Sequence, residues 1–551
     1  MKKSKGVTRR RFLESVGLAG GAAAVYETMT ALGLVNVPEA WAGPPQLPGG
    51  TGAGKKVVIL GAGIGGLTAA YELTKAGYKV QIIEVTERPG GRNHTARRGT
   101  VLVEKNSRGE TLKQVCKFDA GLYLNLGPGR LPYHHRRVLH YCQDLGVALE
   151  VYVMQTMANL FQTDKAFGGK AKLRRHLAYD TQGYISEMLA KAVNKNALAG
   201  ELNGNDTSNL LSFLQTFGDL QKDYSYTGST RDGCHITVYQ PCDAGPKLPL
   251  NDLLSSQFWA HRFYQSFEYE WQPTLFQPVG GMDKIVDGFI KKIGKLVQYR
   301  TEVLNIETRD DGVTVAVRDM KTGVRSNIRA DYCISNIPLP ILKGISNNFA
   351  KDFSDAVKTC VYDPTCKLGW QANKRFWEND QNQIYGGISY TDDAITQMWY
   401  PSYDYFTQKG TLTGVYNYDN DALAFGDMTL DDRIKTARKG AVKLHPEFAD
   451  MQLVPSDKAI SIAWQNIQNE GGGWANWDPN NDDHTKAYTR LLDPDRRFYV
   501  VGDQVSQLPG WQEGAMMSAQ HVVEQIARPK MLKAPRVLRA PNTRRLIHGR
   551  P

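Results

Sequence analysis

The sequence lacks the paired cysteines on which zinc-binding and dithiol redox motifs depend. Its seven cysteines are scattered and none forms a CxxC pair, so neither thiolate-bound zinc nor thioredoxin-like chemistry is expected, and no metal site is predicted. Cys234 and Cys242 lie close enough in sequence to close a small loop, although two reduced thiols are an equal alternative. An odd number of cysteines leaves at least one thiol free in either case.

Beyond residue 42 the sequence also lacks any apolar run of the roughly 20 residues that a membrane-spanning helix requires. The first residues comprise a basic start, the segment Thr8–Leu13 (TRRRFL), a weakly apolar run and small residues up to Ala42. This order is typical of a twin-arginine signal peptide over residues 1–42, cleaved after Ala42. A membrane anchor is the alternative, but Glu27 and several glycines interrupt the run. We therefore expect the twin-arginine export machinery to carry the folded protein, with a tightly held cofactor, to the periplasm or the exterior.

Acidic residues are absent from the C-terminal end, where the chain from Ala527 onward contains eight lysines or arginines and four prolines. We predict a basic, disordered tail over residues 528–551. This tail and the basic N-terminus supply most of the formal net charge of +11, so the intervening chain is near neutral and no nucleic-acid partner is expected. The 551 residues have an ordinary globular composition and suit two interleaved domains.

A complete βαβ unit opens the folded part. The apolar run Lys56–Leu60 predicts a buried strand, Leu67–Ala76 a helix and Lys79–Ile83 a second strand that ends at Glu84. The intervening glycines permit a tight turn and a close approach of the backbone to a diphosphate at the helix N-terminus. Glu84 is placed to accept hydrogen bonds from ribose hydroxyls. The residues of the glycine-rich turn expected to contact a dinucleotide are Gly61, Gly63, Ile64, Gly65 and Gly66.

Further elements follow along the chain. The segment Thr301–Val317 alternates like a hairpin, and no internal repeat is present. Helical segments are predicted at 133–150, 172–217 and 515–527, and later strands at 330–337, 410–416 and 498–501.

The residues after Glu84 resemble the E-x-x-x-R-x-G-G-R extension of the flavin amine oxidase family. The resemblance implies FAD as the cofactor and a role for Arg92 in neutralising its diphosphate. It recurs in Phe498–Asp503, where Asp503 stands at the position that bonds the ribityl chain, and at Val303, the position that contacts adenine. Together these matches extend over most of residues 55–527. Further cofactor contacts implied by the family are Gly127, Pro128, Gly129, Arg130, Gly510, Trp511, Gln512 and Ala515.

The segment Asn125–Pro132 is similar to the G-P-x-R-[LI]-P motif of L-amino-acid oxidases, which lie within this family. The resemblance implies that Arg130 grips the substrate α-carboxylate, a task that suits the planar fork of a guanidinium. An arginine that bonds the flavin or the backbone is the alternative. Tyr416 matches a tyrosine whose hydroxyl bonds the same carboxylate, with a core tyrosine as the alternative.

Lys367 lies nine residues before Phe376, the spacing of the family lysine that holds a water against flavin N5 and aids reoxidation by oxygen. A solvent-facing lysine on an edge strand is the alternative. Gly510 is expected to bind the substrate amine through its carbonyl, and Trp511 and Trp464 to wall the pocket, unless both are core residues.

Other ionisable residues offer weaker candidates. His235 is the one candidate we identify from sequence for a catalytic base, although a surface-loop histidine is the alternative. Glu268, Glu270 and Glu470 would select basic substrates if they faced the pocket, and exposed acids are the alternative.

These patterns predict an α/β fold: a Rossmann-like FAD-binding domain built from discontinuous segments, an inserted α+β substrate domain and a helical region. The expected organisation is a signal peptide (1–42), a linker (43–54), the FAD-binding domain (55–132, 285–345 and 490–527), a helical substrate region (133–284), a substrate-binding domain (346–489) and the tail (528–551).

The activity implied is oxidation of an L-amino acid by oxygen to a 2-oxo acid, ammonia and hydrogen peroxide. The family also implies a homodimer. Monoamine oxidase, amino-acid 2-monooxygenase and a flavin-free binding protein on the same scaffold are the alternatives.

Overall fold

The computed structural model describes residues 41–234, 238–239 and 241–528. Of the described residues, those up to Gln46 belong to one unit and those from Leu47 onward belong to another. The predicted signal peptide through residue 40, the basic tail from residue 529 and His235 lie outside the described residues. In the described part, no helix has both the length and the apolar character needed to cross a membrane.

The strands, numbered in chain order, are β1 Lys56–Leu60, β2 Lys79–Ile83, β3 Thr95–Arg97, β4 Val101–Lys105, β5 Thr111–Val115, β6 Tyr123–Asn125, β7 Leu131–Pro132, β8 Leu149–Tyr152, β9 Leu160–Gln162, β10 Lys172–Leu173, β11 Leu275–Pro278, β12 Val297–Gln298, β13 Thr301–Arg309, β14 Gly312–Asp319, β15 Arg325–Ala330, β16 Tyr332–Ser335, β17 Ser346–Asn347, β18 Val361–Asp363, β19 Thr365–Ala372, β20 Ile388–Thr391, β21 Gln397–Trp399, β22 Gly410–Tyr418, β23 Ala459–Ala463, β24 Trp474–Asn476 and β25 Phe498–Val500.

The α-helices are α1 Ile64–Lys75, α2 Arg136–Asp144, α3 Arg174–Asn194, α4 Gly204–Gly218, α5 Leu250–Ser256, α6 Lys284–Ile293, α7 Leu339–Leu342, α8 Lys351–Thr359, α9 Asp419–Asp427, α10 Leu430–Leu444, α11 Asp482–Leu492 and α12 Gln512–Ala527.

Five parallel strands form the sheet that carries the glycine-rich turn, in the order β12–β2–β1–β16–β25. Alternate residues of β1 feed two separate cores. Val57 and Ile59 pack with α1, α6 and α12, whereas Val58 and Leu60 pack with β14, α8 and α11. The chain reaches β2 on one side of β1 and β16 on the other, which leaves a crevice beyond their carboxyl ends, the usual ligand position in such sheets.

The secondary structure confirms most of the sequence predictions. The βαβ opening, the hairpin β13–β14 and the last helix are present, with bounds shifted by a few residues. The prediction of one helix over 133–150 is wrong in part, because α2 ends at Asp144 and β8 begins at Leu149. Leu149–Tyr152 pairs with β11 instead, so tertiary pairing overrides the local helical period there.

A second, mostly antiparallel sheet has the order β10–β9–β20–β21–β22–β19–β23. Every residue of β19 and of β22 is buried, because neighbouring strands cover their edges and other elements cover both faces. Lys367 on β19 lies directly opposite Tyr416 on β22. The sheet therefore brings two predicted site residues together from positions 49 apart in the chain.

A buried ion pair fastens this second sheet to the hairpin β4–β5. Arg433 on α10 donates to both carboxylate oxygens of Glu104 at 3.2 and 3.1 Å, and both side chains are fully buried. Arg433 also donates to Ser461 Oγ on β23 at 3.0 Å. Because the surrounding groups complete the hydrogen bonding of both charges, the pair is tolerated away from water.

The cysteines divide as one pair and five single thiols. Cys234 and Cys242 form a disulfide, which resolves the alternative left open by the sequence. The other five cysteines are buried and reduced.

Candidate active site

One long cavity runs from the carboxyl edge of the parallel sheet to the face of the second sheet. At its first end, three strands each deliver a residue to the wall immediately after the strand ends, namely Gly61, Glu84 and Asn336, and Asp503 follows three residues after the end of β25. At its other end lie Arg130, Lys367, Trp399 and Tyr416. The predicted cofactor and substrate residues therefore line one cavity, except Gly66, which packs behind the glycine-rich turn.

The glycine-rich turn is packed too closely for side chains. A Cβ on Gly66 would lie 2.2 Å from the Gly61 carbonyl oxygen, and one on Gly63 would lie 2.3 Å from Asn336 Nδ2. Gly61 itself has φ +98°, a conformation that favours glycine. Since no side chain of the described residues caps the N-terminus of α1, its first N–H groups remain available for an anion.

Glu84 is buried at the end of β2 and is fixed by local hydrogen bonds. Its Oε2 accepts from the Ala62 N–H at 2.8 Å, and its Oε1 accepts from the Thr86 N–H and hydroxyl at 2.9 and 2.7 Å. An ionised carboxylate can accept about four hydrogen bonds, so capacity remains for ribose hydroxyls. The assignment of Glu84 to ribose stays a prediction with favourable geometry.

Arg92 bridges two acidic side chains beside the cavity. It pairs with both oxygens of Asp503, donates to the Gly473 carbonyl at 2.6 Å and lies 3.6 Å from Glu470 Oε2. Burial opposes its charge, but Asp503 and Glu470 raise its pKa overall. The guanidinium is therefore already engaged by carboxylates, and its predicted contact with the diphosphate would be made by a residue whose charge is largely balanced.

Glu470 is a partly buried acid in the cavity wall, contrary to the exposed alternative for this residue. Burial raises its pKa to about 7, although Arg92 and Arg88 lower it. Glu268 is exposed, as the alternative for it states, while Glu270 is partly buried against two histidines. The three glutamates thus have three different environments.

The N-terminus of α12 forms part of the cavity wall between the two ends. Gly510 has φ +82° and donates its N–H to Asp503 Oδ2 at 2.8 Å, and Trp511 follows at the helix start. The amide of Gln512 is buried, and neither its nitrogen nor its oxygen has a hydrogen-bond partner among the described residues. Val303 lines the wall at the end of the cavity that holds Glu84, as expected for an adenine contact. Ala515 on α12 also lines the wall.

Lys367 is buried, so the solvent-facing alternative is wrong. Its Nζ donates to the Gly127 carbonyl at 2.5 Å and lies 4.5 and 4.6 Å from the ring centres of Trp399 and Tyr416. Burial and the nearby charge of Arg130 lower the pKa of Lys367 to about 7. Gly127 must be a glycine, since a Cβ there would lie 1.8 Å from the Arg92 carbonyl oxygen.

Arg130 is buried in an aromatic cage. Its guanidinium carbon lies 4.0 Å from the Trp271 ring centre, 4.7 Å from Trp399 and 6.0 Å from Trp511. Its Nε and Nη1 have no hydrogen-bond partner within the part of the chain that the structure describes. A buried guanidinium with unused donors is costly unless something supplies the acceptors. The structure therefore offers an anion site at this end of the cavity.

The remaining predicted substrate residues also reach this end. Tyr416 lines the wall and packs edge-on against Trp399, with ring centres 4.8 Å apart. Burial raises its pKa well above the usual value, so its hydroxyl stays protonated and can donate. Trp464 lines the wall while its Nε1 donates to the Leu126 carbonyl at 3.0 Å.

Several residues of the site were not predicted from the sequence. Asn336, Trp271 and Trp399 lie in the wall, and so does His135, the one histidine among the described residues that lines it. His135 Nε2 lies 2.6 Å from Glu270 Oε2, and His134 Nε2 lies 3.1 Å from the same oxygen. Although burial opposes its charge, the two imidazoles lower the pKa of Glu270 to about 2. The pair His134-His135, one residue beyond Pro132, was the available signal.

The cavity fits FAD by its own chemistry. One end offers a glycine cradle that any Cβ would fill and an uncapped helix N-terminus, which suit a diphosphate. The middle offers a second helix N-terminus and the amide of Gln512, which has no hydrogen-bond partner among the described residues. Both features suit the polar edge of a flavin ring. The fold and the site thus define a dinucleotide-binding flavoprotein whose cavity also holds a buried cationic pocket.

The family model of flavin containing amine oxidoreductases matches residues 64–527, and the chain belongs to that family. FAD is its cofactor. The flavin-dependent L-tryptophan oxidase of Lentzea aerocolonigenes is 26% identical over 501 residues, which cover 86% of this chain and 98% of that protein. The L-amino-acid oxidase of Daboia russelii is 25% identical, with 84% of this chain and 87% of that protein covered.

Solved structures agree on the fold. Cyclohexylamine oxidase from Brevibacterium oxydans IH-35A superposes with a TM-score of 0.55 at 16% identity, over 86% of this chain and 99% of that chain. Putrescine oxidase bound to putrescine gives a TM-score of 0.53 at 15% identity, over 86% and 98% of the two chains.

Proposed function

We propose that the protein is an L-amino-acid oxidase, which converts an L-amino acid, water and oxygen into a 2-oxo acid, ammonia and hydrogen peroxide. The single observation that carries this proposal is the buried Arg130 guanidinium, which lies in the cavity wall and whose Nε and Nη1 have no hydrogen-bond partner among the described residues. A carboxylate is the partner that best suits a guanidinium in this wall, because its two oxygens match the planar fork of the group. A simple amine offers no such group.

The residues of the chain bind and orient the substrate in this scheme. Arg130 and the Tyr416 hydroxyl hold the carboxylate, and the carbonyl of Gly510 holds the neutral amine. Bound FAD supplies a two-electron acceptor for the hydride of the substrate α-carbon. The aromatic walls exclude water and hold the α-carbon in one position, which lowers the entropic part of the barrier. Water then hydrolyses the released imino acid, and oxygen takes up the two electrons and two protons.

We propose that Lys367, which lines the cavity, holds a water near the reacting centre. Its Nζ is fixed by the Gly127 carbonyl within the same motif that carries Arg130. With a pKa of about 7, it can exchange a proton at neutral pH without a large free-energy cost. We assign it to the oxygen half of the reaction, as the family resemblance implies.

The relatives support the amino-acid assignment, since their names specify an L-tryptophan oxidase and L-amino-acid oxidases. The structural neighbours are amine oxidases, but at 15–16% identity they speak for the fold alone. Monoamine oxidase therefore remains the competing function, and amino-acid 2-monooxygenase shares the proposed substrate.

The deciding experiment compares matched substrate pairs on the purified flavin-loaded protein. L-phenylalanine is measured against 2-phenylethylamine, and L-leucine against isopentylamine, so that each pair differs by one carboxylate. Peroxide, ammonia and 2-oxo acid should form from the amino acids, with the amines far slower. Equal or faster turnover of the amines would overturn the proposal, and amide with carbon dioxide in place of 2-oxo acid would indicate the monooxygenase.

We also propose export by the twin-arginine route, which the sequence over residues 1–42 supports. The mature protein in the exported fraction should begin at Gly43, as read by mass spectrometry. Replacing Arg9 and Arg10 by lysine should retain the precursor in the cytoplasm. The reverse replacement of Lys2 and Lys3 by arginine is the control, and it should leave export unchanged. A double-lysine variant that still reached the exported fraction would contradict this route.

A further inference from the structure

Three potential metal ligands converge beside the active-site cavity, outside the residues that the proposed reaction uses. Glu270 Oε2 lies 3.1 Å from His134 Nε2 and 2.6 Å from His135 Nε2, and the three ligand atoms all lie within 4.8 Å of one another. A metal about 2.0–2.2 Å from each ligand requires ligand atoms roughly 3 Å apart. The cluster needs only small side-chain shifts to meet that spacing.

The fold itself creates this convergence. β7 and β11 are antiparallel, with Pro132 opposite Leu275, and the pairing continues through the Tyr133 N–H to the Thr274 carbonyl. The residues that follow β7 therefore meet those that precede β11. His134 and His135 follow one strand after a single intervening residue, and Glu270 lies in a short turn before the other.

Neighbouring rings hold the two imidazoles in place. The His134 ring lies 4.2 Å from the Tyr269 ring, and the His135 ring lies 4.9 Å from that of Trp511. The His135 side chain is 2% exposed and that of His134 13%, whereas Glu270 retains 25% and gives the site a route to solvent. Preordered ligands of this kind lose little conformational entropy when an ion binds.

From this arrangement we propose that His134, His135 and Glu270 bind a divalent transition-metal ion of the zinc type in the wall of the active-site cavity. Two imidazoles and one carboxylate favour Zn²⁺, Co²⁺, Ni²⁺ or Cu²⁺ over Mg²⁺ and Ca²⁺, which prefer oxygen ligands alone. Three protein ligands leave a fourth position for water. Because His135 lines the cavity and contacts Trp511, a metal ion bound at this cluster would affect the wall of the substrate pocket through those two rings.

The site is tested by metal binding to the flavin-loaded protein after removal of any affinity tag. Titration calorimetry with Zn²⁺ should show one saturable equivalent, and Co²⁺ should give visible absorption at wavelengths beyond the flavin bands. Glu270→Gln and His134→Ala should each weaken binding by at least 10-fold. His134→Ala is the sharper variant, because His134 is not among the residues that line the cavity. His140→Ala, on the same segment but outside the cluster, should bind as the parent does.

Flavin content and the thermal unfolding midpoint of each variant check that the fold is retained. If a variant unfolds, the parent titration still decides the proposal. Absence of saturable Zn²⁺ and Co²⁺ binding to the parent, or equal binding by folded Glu270→Gln and His134→Ala variants, would show that the cluster is a hydrogen-bonded contact only. Equal binding of Ca²⁺ and Zn²⁺ would overturn the assigned ligand class. The measurement does not depend on substrate turnover, so its failure leaves the proposed oxidase function untouched.

Discussion

Replacement of Arg130 by methionine tests the amino-acid assignment most directly. The structure leaves Nε and Nη1 of this guanidinium without partners in the described chain. A carboxylate bound to one edge of the guanidinium would gain two charge-assisted hydrogen bonds. Each such bond contributes about 1.5–3 kcal/mol, so the pair contributes about 3–6 kcal/mol. Arg130→Met should therefore lower kcat/KM for an L-amino acid by roughly 10² to 10⁴, chiefly through KM.

The assay uses the same matched pairs of amino acid and amine, now with wild type, Arg130→Met and Arg130→Lys. The preference of the wild type for the amino acid should largely disappear in Arg130→Met, because the amine never used the guanidinium. Arg130→Lys should fall between the two, since it retains the charge but loses the planar fork. Flavin content of each variant is the control for an intact cofactor site.

The unfolding midpoint of Arg130→Met distinguishes an arginine that binds substrate from one that stabilises the fold. A buried guanidinium whose hydrogen-bond acceptors come from the substrate contributes little to the stability of the fold. Arg130→Met should therefore leave the unfolding midpoint unchanged or raise it. A loss of several kcal/mol of unfolding free energy, or an unchanged preference for amino acid over amine, would refute the reasoning.

The remaining predictions concern the cofactor site and the fold. Gly66→Ala should yield protein with little flavin absorbance, because its Cβ would lie 2.2 Å from the Gly61 carbonyl oxygen; full flavin occupancy would contradict the close-packed turn. Arg433→Met should lower the free energy of unfolding in denaturant by about 3–5 kcal/mol, because it leaves Glu104 buried and unpaired, and a second change of Glu104 to methionine should recover part of the loss. Glu470 has a pKa raised from near 4.5 to about 7, so its contribution to stability is complete below pH 4.5 and is lost as pH rises to 7. From pH 5 to 8 the free energy of unfolding, derived from thermal unfolding curves, should thus decline by on the order of 3 kcal/mol at most. The Glu470→Gln variant should lack this decline, and an equal pH dependence in the two proteins would contradict the prediction.

The sequence predicted the βαβ unit that carries the glycine-rich turn, because its determinants are local. A strand, a glycine-rich turn, a helix and an acid at the next strand end follow one another between Lys56 and Glu84, and each has a direct backbone reason. The motif around Arg130 was equally local. The helix predicted over 133–150 was wrong in part because the pairing of β8 with a distant strand decided that segment.

The sequence alone therefore determined the α/β class, the dinucleotide cradle and the identity of the carboxylate-binding candidate, since glycine spacing and short motifs act over a few residues. The tertiary structure decided what depends on distant neighbours: that Lys367 is buried opposite Tyr416, that Glu470 lies inside the cavity, and that His135 meets Glu270. Burial and charge are properties of the environment that packed strands create, and that environment is assembled from residues far apart in the chain.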